Sequence, residues 1–430
     1  MRRHEALLMV LILGIATVRL GGAQGLDRPE ASTIDELVAR ALADNLDLQA
    51  ARAEIEAARG RLLQAGLRPN PMLDLGAQQN VTGPDNNVNV GVTLPLDLNR
   101  RKAGRVGVAE RELEQKEAQV LNRAREIEAE VRMKAGEVFA AQRNLRITEE
   151  LLDINRQALQ LIGDRVRRGA GPALEENLQR VEVNRLDASR QTLQSRAEVA
   201  TLQLQVLVGR PPEAPLVLQG DLRTPPVTLA REGAIARALA ERPDLRMARA
   251  EVAMARAKIR KEEAEGSWDA SVNVGYMRQN FGYDLNGLTE RGEMRPITDI
   301  FHYVGGGVTI MLPVRNRNQG NIAAAFAEAR ASEHRGDLAT LTVRQEVVAA
   351  FTQYEAAERA LDIYTRGVRE VARQNLEVMR KAYQLGRATL LEVIAEQRRY
   401  LDIEMGYTDA LQQAYNAAVD IERAVGAVPR

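Results

Sequence analysis

The chain has 430 residues, of which 27% are charged and 3% aromatic, and its 59 basic side chains balance 59 acidic ones. A formal net charge of zero removes the electrostatic reason to bind nucleic acid. No cysteine occurs, which excludes disulfides, thiolate metal sites and a lipidated N-terminal cysteine.

At the start of the chain, Arg2 and Arg3, the apolar run from Ala6 to Val18 and the small residues Gly21 and Ala23 read as a secretory signal over 1–23, with the mature chain beginning near Gln24. Beyond it no apolar run reaches about 18 residues, so a membrane crossing has to be made by strands. A helix is expected from Ile34 to Leu67. Met72, Leu73 and Leu75 then begin a strand, Thr82 to Asn87 is dense in turn residues, and Val88, Val90, Val92 and Leu94 alternate with Asn89, Gly91 and Thr93. That pattern predicts a hairpin over 72–95 with one apolar and one polar face. The proline-free stretch 103–168 predicts a single helix about 100 Å long. Gly169-Ala170-Gly171-Pro172 forms a turn, and a helix follows over 173–208.

The same order then recurs. A helix is expected from Leu229 to Glu265, followed by a hairpin over 268–314. There Trp268, Ala270, Val272, Val274 and Tyr276 alternate with Asp269, Ser271, Asn273 and Gly275, and Phe281 to Phe301 is expected as the connecting loop. A long helix over 322–385 carries Leu361, Tyr364, Val368 and Val371 as a coiled-coil seam, and Gly386 turns the chain into a helix over 389–425. Ala39 to Arg59 matches Ala236 to Arg256 at 13 of 21 positions, and Gly91-Val92-Thr93-Leu94 matches Gly307-Val308-Thr309-Ile310. Two copies of one unit, 24–220 and 221–430, account for this, each far longer than a solenoid repeat.

The fold class that follows is mainly α with a membrane β-barrel, built from long coiled-coil helices and four strands per chain. Four strands cannot close around a lumen, and open edges in lipid leave backbone groups unsatisfied. Several chains must share the barrel. Three chains of four strands give twelve, inside the bacterial range.

Tyr383-Gln384-Leu385-Gly386 with Leu391-Glu392-Val393-Ile394 and Gln397, and Gly307-Val308-Thr309 with Leu312-Pro313-Val314 and Arg317, resemble the TolC-like outer-membrane efflux proteins, over essentially the whole mature chain. Gly66-Leu67-Arg68-Pro69-Asn70-Pro71 and Asn316-Arg317-Asn318-Gln319-Gly320 are similar to its cobalt-zinc-cadmium (CzcC-type) branch. The resemblance implies a homotrimeric channel-tunnel in outer-membrane lipid, with a 12-stranded barrel and a periplasmic α-barrel. It implies the exit duct of a tripartite efflux pump, opened by a periplasmic adaptor and an inner-membrane proton-driven pump. The branch implies divalent metal cations as cargo, with small organic compounds as the alternative.

The family's lumen-facing tip acids fall on Glu175 and Glu392, giving six carboxylates in a trimer, where like charges in a narrow pore attract cations. A second family acid falls on Ala395, with Glu396 beside it, and the tip arginine on Ala388, with Arg387 beside it. Tyr383 stands where a gate-bonding tyrosine is expected, whereas the first copy has Val166. The helix-tip turns, Gly169, Gly171, Pro172 and Gly386, are expected to meet the adaptor.

Other classes fit less well. His4, His302 and His334 make no pair at metal-ligand spacing, and Gly305-Gly306-Gly307 lies in a strand rather than a phosphate loop. Glu149-Glu150, Glu175-Glu176 and Glu262-Glu263 sit on charge-mixed helices, so neither enzyme activity nor a cofactor or metal site is assigned. A periplasmic adaptor has one coiled coil between small barrel domains, not two matched copies. A coiled-coil structural protein lacks the alternating strand windows.

Overall fold

The computed structural model describes residues 31–223 and 227–426; the expected signal over 1–23 lies outside the described residues. In the first half β1 (Ala31–Ser32) is followed by α1 (Ile34–Asp44), α2 (Leu46–Ala65), the hairpin β2 (Met72–Gln79) and β3 (Asn86–Pro95), α3 (Arg101–Arg167) and α4 (Ala173–Leu207). The second half runs β4 (Val217–Leu218), α5 (Arg231–Glu241), α6 (Pro243–Glu265), β5 (Asp269–Leu288), β6 (Met294–Met311), α7 (Gln319–Ile363), a π turn (Tyr364–Val368), α8 (Arg369–Gln384) and α9 (Leu390–Val425).

Three of the expected helices change. The helix expected from Ile34 to Leu67 is two helices, because Asn45 takes an extended conformation and caps α2, its Oδ1 accepting from the Leu48 N–H at 3.0 Å. Its Nδ2 also donates to the Leu207 carbonyl at 2.9 Å, tying the break to the end of α4. The helix expected from Leu229 to Glu265 is likewise broken at Arg242, with Pro243 in the first turn of α6, where its missing N–H costs nothing. The long helix expected over 322–385 is interrupted by the π turn. Tyr364 and Val368 are followed on the buried side by Ala372 and Leu376, while Val371 is 51% exposed. Successive spacings of four overrun the 3.6-residue turn, and the wider π turn restores their register.

The helices form a layer that α3, at 67 residues, runs through from end to end. Near the sheet α3 packs against α2 and α6, with α7 beyond α6; further along it packs against α4 and α9, with α8 beyond α9. Between these levels α1 packs on α3 and α5 on α7, where β1 pairs in parallel with β4. The largest apolar cluster, with Leu37, Leu48, Ile127, Val131 and Leu204, lies here. The end of α9 is also held here by two buried guanidiniums. Arg125 donates to the Arg423 carbonyl, and Arg242 donates to the Ala424 carbonyl at 3.0 Å while pairing with Glu346 at 2.7 Å. Cations at the last carbonyls of a helix complement its dipole.

The strands make one antiparallel sheet in the order β2-β3-β5-β6, so β3 and β5 join the two halves and β2 and β6 are edges. The register sets Leu75, Val90, Tyr276 and Val304 on one face, with Leu73, Val92 and Val274 in the next row. Asp74, Gly91, Gly275 and Gly305 share the other face with Asn89, Thr93 and Asn273. Among the described residues no layer covers the apolar face: Leu75 is 70% and Val304 81% exposed. The expected loop from Phe281 to Phe301 is instead mostly strand, since β5 and β6 stay paired out to Leu288 and Met294 across a bulge between Gly282 and Asn286. This hairpin outruns β2–β3, whose turn is met by Gly282, its N–H donating to Asp85 Oδ1 at 2.5 Å.

Gly209 fastens α4 to α1. It has φ +74°, and a Cβ there would stand 2.6 Å from the backbone oxygen of Asp44. Gly209→Ala is expected to cost about 1–3 kcal/mol, seen as a lower denaturant midpoint of the helical circular-dichroism signal at unchanged slope.

Candidate functional site

The end of the helical layer remote from the sheet carries two turns built alike. After α3, Gly169 takes φ +71°, its N–H donating to the Val166 carbonyl at 2.9 Å, and Ala170 N–H donates to the Arg165 carbonyl at 2.8 Å. After α8, Gly386 takes φ +70°, with Gly386 N–H to the Tyr383 carbonyl at 2.9 Å and Arg387 N–H to the Ala382 carbonyl at 2.8 Å. Both are Schellman motifs, which need a left-handed residue just past the helix and so select glycine. Gly171 has ordinary backbone, and Pro172 supplies the extended N-cap of α4.

Glu175 and Glu392 occupy the same helical position, three residues after the caps Pro172 and Thr389. The caps send them different ways. Thr389 has a hydroxyl, and with Glu392 it forms a capping box: Glu392 N–H donates to Thr389 Oγ1 at 3.3 Å, while Thr389 N–H and Oγ1 donate to Glu392 Oε2 at 2.7 and 2.9 Å. Pro172 has neither side-chain acceptor nor N–H, so Glu175 is released from this role. Its Oε2 instead accepts from the Tyr383 hydroxyl at 3.3 Å, linking α8 of the second half to α4 of the first. The Tyr383 ring lies on Ile162, Leu390 and Ile394. Burial raises the pKa of this hydroxyl, the Glu175 carboxylate raises it further, and Arg165 opposes both in part.

The remaining residues expected at the tip lie apart. Glu396 is 7% exposed, its Oε2 accepting from Arg399 at 3.0 Å while Oε1 is buried with no hydrogen-bond partner. Arg387 is exposed. Among the described residues no side-chain hydrogen bond or ion pair links Glu392, Glu396 or Arg387 to the Tyr383–Glu175 pair.

Sequence reasoning missed the capping box, although Thr389 followed three residues later by Glu392 is its sequence signature. It also missed Glu182, 1% exposed, which accepts from Arg185 at 2.7 Å and Arg398 at 2.6 Å and so joins α4 to α9. Burial alone raises its pKa, but the two guanidiniums win and hold it below the usual carboxylate range. Nothing local marks Glu182, because Arg398 is 216 residues away.

Solvent-exposed Glu392 has its pKa lowered, first by the Thr389 backbone N–H and then by the hydroxyl. A depressed folded-state pKa means that the cap stabilises the helix start above the ordinary carboxylate value and loses that contribution as pH falls through the folded value. Glu392→Gln is therefore expected to speed amide hydrogen exchange near neutral pH at Thr389, whose N–H donates to this carboxylate, and at residue 392, whose N–H donates to Thr389 Oγ1. After correction for intrinsic rates, the difference from the parent should vanish in acid.

A model of the outer membrane efflux protein family matches residues 37–210 and again 234–427. The chain is 23% identical over 394 residues to the cobalt-zinc-cadmium resistance protein CzcC of Cupriavidus metallidurans, covering 92% of this chain and 90% of that protein. The outer-membrane channel OprN has a similar structure, with TM-score 0.74 and 21% identity over 91% of this chain and 89% of that one. CusC gives TM-score 0.73 and 18% identity over 91% of each chain. At these identities the two solved structures bear on the fold alone.

Proposed function

This chain belongs to the outer membrane efflux protein family, and from that premise we propose that three copies form the exit duct of a tripartite efflux pump, conducting cargo passively from periplasm to exterior. The observation that carries this reading is the uncovered four-stranded sheet, apolar on one face and polar on the other, with unpaired edges at β2 and β6. Lipid is the solvent that suits the apolar face, and β6 of one copy pairing with β2 of the next satisfies both edges. Three copies give a barrel of about twelve strands around a lumen lined by small and polar residues.

The helices support the same ring. On the side of α2 and α4, Leu63, Val181 and Val206 are 70%, 62% and 65% exposed; on the side of α7 and α8, Leu341, Ile363 and Val378 are 64%, 62% and 65% exposed. Two different apolar edges on one chain suit head-to-tail contacts that close by rotation, extending the barrel as a periplasmic α-barrel. Each half, 24–220 and 221–430, is read as one copy of a duplicated unit, supported by the separate family match in each.

Divalent metal cations are the proposed cargo, on the likeness to CzcC over 92% of the chain. A periplasmic adaptor and an inner-membrane proton-driven pump are the proposed partners, with the turns at Gly169, Gly171, Pro172 and Gly386 as adaptor contacts and the exposed Arg387 counted with the gate residues. The proposed gate is the tip. Tyr383 and Glu175 hold the two halves together there, and Glu392 and Glu396 add negative charge.

The mass of the detergent-solubilised protein is expected to be that of three chains; a monomer or dimer overturns the ring. In planar bilayers, Glu175→Ala with Glu392→Ala is expected to weaken cation selectivity and divalent block while leaving the trimer intact. Coulomb terms of about 1 kcal/mol per close pair correspond to roughly fivefold. Unchanged selectivity and block would leave both glutamates as helix-start residues only.

A further inference from the structure

Between α3 and α8, over α9, runs a groove of about 310 Å³ that lies apart from the tip and holds an unusual share of guanidiniums. Arg143 and Arg146 of α3 and Arg369, Arg373 and Arg380 of α8 line it, against the carboxylates of Glu150, Glu377 and Glu404. We propose that this groove is a binding site for a phosphate group, carried by inorganic phosphate or a small phosphate ester.

The carboxylates do not neutralise the arginines that matter. Glu404, 2% exposed, accepts from Arg369 Nε at 2.6 Å and from Arg143 Nη2 at 3.2 Å. Glu377 accepts from Arg373 Nη1 at 2.7 Å, and the other nitrogens of Arg373 go to Glu370 at 3.1 and 2.7 Å. Glu150, exposed, is in no ion pair among the described residues. Arg380 and Arg146 are left over. Nε and Nη2 of Arg380 are both buried with no hydrogen-bond partner, and Arg146 on the facing wall has no ion pair or side-chain hydrogen bond among the described residues.

A buried unpaired guanidinium is costly, because its lost hydration is not replaced. Burial pulls the Arg380 pKa down, with Tyr400 and Glu377 opposing in part, which marks a desolvated cation lacking a matched anion. Five arginines against the three lining carboxylates and Glu370, which Arg373 also holds, leave an excess of one positive charge in the groove. A phosphate anion supplies that charge, and its tetrahedral oxygens can accept from forks on both walls. The walls are also preorganised, since Arg143 and Arg369 stand over the Tyr407 ring at 5.2 and 4.9 Å from its centroid. The volume suits phosphate or a small ester, at the lower end of small-molecule sites. The site does not depend on the duct reading.

The test is calorimetric titration of the detergent-solubilised full chain with sodium phosphate, and separately with glycerol phosphate, at constant ionic strength against chloride. Saturable binding at one site per chain is expected, weakened about tenfold or more by Arg146→Gln with Arg380→Gln. Tighter binding of glycerol phosphate assigns the site to esters; equal or weaker binding assigns it to free phosphate. If the double variant does not fold, Arg146→Gln alone, at an exposed position, is expected to weaken binding severalfold. No saturable heat with either compound, or unchanged affinity in the variant that folds, overturns the proposal.

Discussion

Backbone hydrogen bonding sets the terms for this molecule. A four-stranded sheet with edges at β2 and β6 has N–H and C=O groups along both sides that no strand among the described residues pairs, and among those residues its apolar face is bare. Such edges are unsatisfied in lipid and in water invite pairing with further strands. The sheet's long β5–β6 hairpin and the joining of the two halves through β3 and β5 leave those edges and that face as its open surfaces among the described residues.

The helical layer meets the same difficulty by different means. A layer one helix thick has no deep centre, and its buried apolar positions are often alanine, as at Ala129, Ala135, Ala140, Ala414 and Ala417. Small residues let helices approach closely but bury little area each. Buried charge clamps occupy several of the crossings instead: Glu182 between α4 and α9, Glu404 among α3, α8 and α9, and Arg242 at the end of α9. Breaking such a clamp on one side leaves an unpaired buried charge, which penalises helix pairings that separate the partners.

The tip illustrates how one residue redirects a repeated element. Both turns share the Schellman geometry and both following helices carry glutamate at the same position, yet a hydroxyl at Thr389 keeps Glu392 local while Pro172 frees Glu175 to reach Tyr383. The result is asymmetric. One carboxylate stabilises its own helix, and the other bonds across the two halves.

The sequence by itself determined whatever depends on near neighbours. The alternation of Val88, Val90, Val92 and Leu94 fixed a two-faced strand, Gly169 and Gly386 fixed the turns, and the match between the halves fixed the order of elements. Asn45, Pro243 and the Thr389–Glu392 pair were equally local signals, legible as helix caps but absorbed into helices that length and periodicity suggested. Only the tertiary structure decided what depends on distant partners. The pairing of β5 with β6 through residues 281–299 rests on a register that turn-rich composition hides. The π turn depends on which face of α8 meets α9, and the Tyr383–Glu175 bond spans 208 residues. Spacing along one helix says which side chains share a face, but not what stands opposite that face, and at this tip the opposite side decides the chemistry.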